Sequence, residues 1–170
     1  AAVERKRKKK GSNQEGGSPG DRDARNAMKK YGSTHLAQKA EHAVDMESGA
    51  VIAVTLQAAD QGDTATVLET LSEAGVTIAE LAKREAESAP EQTPQVSVNS
   101  IEEVVADKGY HSGPTIVAIK QAGARTHVLE PKRGRRTWAG KADEHTAVCD
   151  NRRRDKGRSG KRVVEKSGAV

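Results

Sequence analysis

The chain has 170 residues, enough for one domain of ordinary size, but only 34% are hydrophobic, with one Trp, two Tyr and no Phe. The formal net charge is +5, and a single Cys excludes an internal disulfide and a zinc site built from several cysteines. No run of residues is apolar enough to span a membrane or to form a secretory signal, so we expect a soluble, intracellular protein with a small aliphatic core.

The charges are segregated along the chain. Residues 5–10 are consecutive bases. Residues 40–110 contain fourteen acids and three bases, a local balance of −11, whereas residues 130–166 contain thirteen bases and six acids, a balance of +7. Basic blocks of this kind either bind the phosphates of nucleic acids or remain solvated.

The first 58 residues divide into an arm and a hairpin. Residues 1–33 hold few apolar side chains and a stretch rich in Gly and Ser, which predicts a basic, poorly ordered arm or linker. Residues 34–58 predict a β-hairpin, because residues 50–56 are rich in β-branched side chains. The turn is predicted at residues 47–49, where Gly49 can adopt the positive φ that such a turn needs.

Residues 60–88 predict an amphipathic helix. Asp63 is placed to cap its first turn, although Asp60 and Asp63 together also admit a metal-binding interpretation. Gly75 is a position at which the helix could divide into two. The apolar stripe of this helix is predicted to consist of Val67, Leu68, Leu71, Ile78 and Leu81.

The stretch around Asp107 is the most informative part of the sequence. Residues 103–106, Glu-Val-Val-Ala, predict a buried strand, and Asp107 follows where that strand ends. Gly109 permits a sharp turn, and Ser112 can cap a helix that has Pro114 in its first turn. Ligands bind beyond the carboxyl ends of strands in open α/β sheets, so Asp107 is placed to hold a metal ion. Alternatively, Asp107 only caps the turn.

The next segment predicts a parallel strand–helix–strand unit. Residues 113–123 predict a helix in which Ile116, Val117 and Ile119 face inward and which Gly123 ends. Residues 125–129 predict the following strand. We therefore expect this strand to pair with the one before Asp107 in a parallel arrangement.

Residues 131–170 form a basic, Arg-rich segment that is predicted to be poorly ordered. The planar guanidinium of Arg can bond two phosphate oxygens at once, which favours DNA binding. Trp138 stands among these bases, where it either stacks on a nucleic-acid base or anchors the packing of the segment. The residues predicted to contact DNA are Arg133, Arg135, Arg136, Lys141, Arg152, Arg153, Arg154 and Arg158.

Several strings of residues occur in the order in which bacterial insertion-sequence transposases carry them. The most specific is Ala-Asp-Lys-Gly-Tyr at residues 106–110. Over about residues 5–165, the chain therefore resembles the catalytic domain of DDE transposases. The other strings of the ordered set are residues 41–45, 55–64, 130–135, 138–141 and 151–154.

The resemblance implies a ribonuclease H-like fold, in which residues 34–130 form part of the catalytic core. It also implies metal-dependent cleavage and transfer of DNA strands in the bacterial cytoplasm, at the nucleoid, with transposon ends and target DNA as partners. Under this interpretation Asp107 is the second of three catalytic acids and a ligand of Mg²⁺, of which the intact family uses two ions.

The sequence also departs from the family. The first acid lies on a strand upstream of residues 5–10 and the third, a Glu, lies beyond the Arg-rich segment; Glu165 falls short of that position. We therefore expect a fragment truncated at both ends, with weak or absent Mg²⁺ binding and no activity as it stands. Loss of the first strand, which lies between the hairpin and the strand before Asp107, leaves unpaired edges that favour self-association. The alternative is a small basic nucleic-acid-binding protein without catalytic activity.

Overall fold

A computed structural model describes residues 24–28, 34–88, 101–132 and 136–167, together with Gly20 and Gly134. Their fold is mixed α/β, as predicted. None of the described helices combines the length and the apolar character that crossing a membrane requires. The elements are β1 (Arg25–Met28), β2 (Thr34–Val44), β3 (Val51–Ala58), α1 (Asp63–Ser88), β4 (Glu103–Ala106), a 3-10 turn (Lys108–Tyr110), α2 (Gly113–Gln121), β5 (Arg125–Val128), α3 (Ala142–Lys156) and α4 (Arg158–Ser167).

The strands form two sheets, with the order β1-β2-β3 in one and β4-β5 in the other. By its contacts the chain also divides into two units. The smaller unit consists of Ala1–Glu41 and Leu56–Gly62, and the larger of His42–Thr55 and Asp63–Val170. The β4-β5 sheet and all the described helices therefore belong to the larger unit.

Strand β1 lies where the sequence predicts no regular structure, so for these residues the prediction of a disordered arm is wrong. Its residues pair antiparallel with the start of β2, from Arg25 opposite Ala37 to Met28 opposite Thr34. The backbone groups at the edge of β2 provide hydrogen-bond partners whatever the side chains are. A short polar segment can therefore become a strand without an apolar pattern of its own.

The hairpin of β2 and β3 is confirmed, and so is its turn. Gly49 has a φ of 75°, and the hydroxyl and backbone N–H of Ser48 both donate to the carboxylate of Asp45. The alternation in β3 is unusual, because Thr55 is buried whereas Val54 and Leu56 are 53% and 68% exposed. This strand thus presents apolar side chains to solvent.

Helix α1 runs without interruption through Gly75, so the predicted division does not occur. Its buried side chains are Thr66, Val67, Thr70 and Ala74, whereas the predicted stripe residues Leu68 and Leu81 are exposed. Polar pairing accounts for part of this difference, since the hydroxyl oxygens of Thr55 and Thr70 lie 2.6 Å apart in the interior.

The unit formed by β4, α2 and β5 agrees closely with its prediction. Strands β4 and β5 are parallel, with Glu103 opposite Arg125. The Ser112 hydroxyl accepts a bond from the backbone N–H of Thr115 at 3.1 Å and caps α2. Gly123, with a φ of 90°, follows the end of that helix. Ile119 packs with Val104 and Ala124, whereas Ile116 packs with Ala147 and Val148.

Residues 142–156 and 158–167 are helical, so the prediction of a poorly ordered basic segment is wrong for them. Acids stand in the first turn of α3 and bases in its last turn, an arrangement that complements the helix dipole. The buried face of α3 is short and includes Ala147, Val148 and Asn151. Because only two of these side chains are apolar, the segment shows little helical periodicity in sequence.

Candidate nucleic-acid interface

The carboxyl ends of β4 and β5 place two acidic residues at the same edge of the parallel sheet. The ladder between these strands ends where the Leu129 N–H donates to the Ala106 carbonyl at 3.2 Å. Asp107 directly follows Ala106, and Glu130 directly follows Leu129. Loops at such an edge commonly carry binding groups, and this is where Asp107 was predicted to act.

Asp107 is exposed, and its Oδ1 accepts a hydrogen bond from the backbone N–H of Lys108 at 2.6 Å. This bond caps the 3-10 turn, so the capping interpretation is confirmed. Gly109, in contrast, does not use the positive φ that is special to glycine. Instead it lies close to Asp63, since a Cβ at Gly109 would collide with the carboxylate of Asp63, which would have to shift to admit it.

These acids do not make up a metal centre by themselves. Within residues 34–88, 101–132 and 136–167, no three His, Cys, Asp or Glu side chains are grouped so that they could hold a metal ion. A site for two divalent ions needs several carboxylates, and a single exposed Asp107 cannot supply them. The residues that the structure describes therefore do not fit the magnesium pair that the resemblance implies.

Glu130 is the centre of a charged cluster beside this edge. Both of its oxygens bond Arg152, from Nη2 at 2.7 Å and from Nε. Arg136 Nη2 lies 3.3 Å from the same carboxylate and 3.5 Å from Nδ1 of the buried His111. The hydrogen bond from Arg152 holds the pKa of Glu130 below its ordinary value, so the carboxylate stays charged at neutral pH.

An open cleft of about 620 Å³ lies over this cluster. Trp138 forms part of its wall and also packs against the apolar cluster of α2 and α3, which confirms the packing-anchor interpretation. The guanidinium of Arg136 lies 5.6 Å from the centre of the Trp138 ring, within cation–π range. The residues that line the cleft are Glu130, Pro131, Lys132, Gly134, Arg136, Trp138 and Arg152.

Comparisons with protein-family models, with curated proteins and with solved structures find no match. The resemblance to transposases thus depends on the ordered strings of residues alone.

The residues predicted to contact DNA fall into two groups in the structure. Lys141, Arg153 and Arg158 are exposed; among the described residues, Lys141 and Arg153 pair only with acids three residues away, Glu144 and Asp150, and the side chain of Arg153 is 80% accessible. Arg136, Arg152 and Arg154 instead contact other parts of the chain, with only part of each side chain exposed. Arg133 and Arg135 lie outside the described residues.

Arg154 binds the outer edge of β5. Its Nε donates to the Thr126 carbonyl and its Nη2 to the Thr126 hydroxyl, both at 2.9 Å. Arg154 was predicted to contact DNA, but these bonds direct its guanidinium toward β5 instead. The exposed Lys and Arg side chains of α3 and α4 are thus better placed than Arg154 to bind a phosphate.

Glu130 was not among the residues predicted to act in the site. Its position offered one signal, because it lies two residues beyond the end of β5, near the place at which Asp107 directly follows β4. The pairing with Arg152 joins positions 22 residues apart, and no local pattern predicts such a contact.

Proposed function

We propose that the chain belongs to the catalytic domain of a bacterial DDE transposase, with a ribonuclease H-like fold and a role at the nucleoid. In this proposal the chain binds DNA phosphates through its basic C-terminal surface. It contributes Asp107 as one of three acids that together bind Mg²⁺ for strand cleavage and transfer.

The observation that carries the proposal is the position of Asp107. An exposed carboxylate, Asp107, follows one strand of the parallel β4-β5 pair, and Glu130, beyond the end of the other strand, lines a cleft together with Lys132, Arg136 and Arg152. Cleavage of a phosphodiester uses both features, since basic side chains neutralise the charge of the phosphate and a carboxylate can hold a metal cation beside it.

The order of the elements also supports the proposal. A hairpin, a helix and a strand–helix–strand unit follow one another as in the ribonuclease H-like fold. The β1-β2-β3 and β4-β5 sheets are separate. That separation agrees with the expected lack of a strand that would pair with both, although β1 pairs with the edge of β2 that this lack was expected to leave unpaired.

Catalysis is assigned only to the complete set of acids. This sequence matches one of the family's three, and the described residues do not fit a pair of metal ions. The chain by itself is therefore expected to bind DNA without cutting it, and no catalytic step is derived from these residues alone.

A fusion experiment tests the proposal. The chain is extended with a transposase strand that carries the first acid and a helix that carries the third, and nicking of supercoiled DNA is measured with Mg²⁺. Nicking is expected, and Asp107→Asn should abolish it, whereas Glu80→Gln, a change of an exposed acid on α1, should not. Nicking that survives Asp107→Asn would contradict the assignment.

A second candidate function is DNA binding without any catalytic ancestry. The observation in its favour is that Asp107 already has a structural task as the cap of the 3-10 turn. In that case Asp107→Asn alters the stability of the turn, and no extension of the chain yields nicking.

A further inference from the structure

The geometry points to a binding site for a single phosphate group in the cleft. Arg136 and Arg152 bind the phosphate, and Glu130 positions these two side chains. This inference deepens the proposed function, because the phosphate would come from a nucleic acid strand. It adds a defined pocket to the exposed bases of α3 and α4, and it assigns a role to Glu130.

The charges of the cleft favour an anion. Lys132, Arg136 and Arg152 line it against one acid, Glu130, so the lining carries an excess of positive charge. A guanidinium has five N–H donors, and the bonds of Arg152 to Glu130 use two of them. Nη2 of Arg136 contacts Glu130 and His111. In this inference the donors of the two Arg side chains that these contacts leave over bond the phosphate oxygens, in a cleft whose wall includes Trp138.

Glu130 fixes the direction of these donors. A carboxylate that bonds both Nε and Nη2 of Arg152 orients its guanidinium plane, and Arg136 is drawn to the same carboxylate at 3.3 Å. Without this anchor, two long cationic side chains would repel each other and lose their alignment. Ordering them before the ligand arrives reduces the entropy lost on binding.

The size of the cleft agrees with such a ligand. Its volume of about 620 Å³ lies within the range of ordinary small-molecule sites and can hold a phosphate with an attached sugar and base. Both a free phosphorylated molecule and a phosphate of a DNA strand have the chemistry that these donors recognise.

Titration of the full chain with inorganic phosphate, followed by NMR of the Arg side-chain N–H groups, tests the inference. We expect a saturable shift, and Arg136→Ala and Arg152→Lys should each weaken binding about tenfold, or 1.4 kcal/mol. Arg84→Ala, a change of an exposed Arg on α1, is the matched control and should leave binding unchanged. Absence of a saturable shift would overturn the inference, even if the chain binds duplex DNA through its exposed Lys and Arg side chains.

The role of Glu130 is tested by the direction in which Glu130→Gln changes phosphate affinity. Glu130→Gln removes a negative charge, so a purely electrostatic effect would tighten phosphate binding. Positioning predicts the opposite, a weakening of about threefold, with an unchanged circular dichroism spectrum. Tighter or unchanged binding would overturn the positioning role.

The source of the phosphate follows from comparing oligonucleotides with and without a 5′-phosphate. Arg136→Ala is expected to weaken the binding of both oligonucleotides. Tighter binding of the phosphorylated strand supports a terminal phosphate as the ligand, and equal binding supports an internal one. Binding of either strand that is insensitive to Arg136→Ala would overturn the assignment of the cleft.

Discussion

The side-chain amide of Asn151 bonds both backbone groups of Val128. The Val128 N–H donates to Oδ1 at 3.0 Å, and Nδ2 donates to the Val128 carbonyl at 2.8 Å. Both residues are almost fully buried. Asn151 therefore takes the place that a neighbouring strand would have beside β5, and Arg154 does the same for Thr126.

Asn151→Leu keeps the size of the side chain but leaves the N–H and carbonyl of Val128 buried without these bonds. We expect the free energy of unfolding to fall by about 2 to 4 kcal/mol, measured by urea denaturation. Thr146→Ala, on the exposed side of the same helix, should change it by less than about 0.5 kcal/mol. Equal effects of the two substitutions would contradict the role given to Asn151.

Asp155 gives the stability of the chain a dependence on pH. Burial raises the pKa of this carboxyl from 3.8 to about 6, despite the opposing charge of Arg154 and the hydrogen bond from Asn151. Its Oδ1 lies 3.6 Å from Nδ1 of His127, and burial lowers the pKa of that imidazole. A raised carboxyl pKa stabilises the fold at low pH, and this contribution is lost as the pH rises through about 6.

Asp155→Asn is therefore expected to stabilise the protein at pH 7.5, by about 1 to 3 kcal/mol. The gain should shrink as the pH is lowered toward 4, because the wild-type carboxyl is then protonated as well. Urea denaturation of both proteins over this pH range measures the difference. The lowered pKa of His127 has the opposite effect on stability, which it reduces as the pH falls. Because His127 is present in both proteins, this effect does not enter the difference between them. A gain that grows toward low pH would be inconsistent with the buried carboxyl.

The exposed apolar side chains of β3 predict self-association. Val54 and Leu56 lie on the same side of the strand and are 53% and 68% exposed. Val54→Thr and Leu56→Thr together should raise the fraction of monomer in sedimentation velocity at high concentration, with little loss of stability. The control is Val76→Thr on α1, which is also 53% exposed. If both sets of changes act alike, association does not depend on β3.

Local signals in the sequence were sufficient for the parallel unit. Ser112 and Gly123 mark the two ends of α2 through a side-chain cap and a positive φ, and both act within one helical turn. Helix α3 could not be predicted in the same way. Its attachment to β5 depends on polar side chains, Asn151 and Arg154, that bond strand edges far away in sequence.

The candidate site was predictable only in part, for the same reason. Asp107 could be placed because a strand and a turn flank it directly. Glu130 acts through Arg152 and Arg136, and the long-range contacts that join these residues leave no local pattern. The polar interior beside α1, where Thr55 meets Thr70, was likewise hidden, because threonine at those positions does not distinguish a buried face from an exposed one.

The salt dependence of duplex DNA binding tests the central claim most directly. We expect wild-type affinity, measured by fluorescence anisotropy, to fall steeply with salt because bound phosphates release counterions. Joint replacement of Lys141, Arg153 and Arg158 by Gln should reduce the slope of log K against log salt by about 2 to 3, roughly 0.9 for each lost phosphate contact. The same change at Lys83 and Arg84 on α1 should leave the slope unaltered. A wild-type chain without measurable affinity, or equal slopes for both sets of variants, would contradict a nucleic-acid interface on this surface.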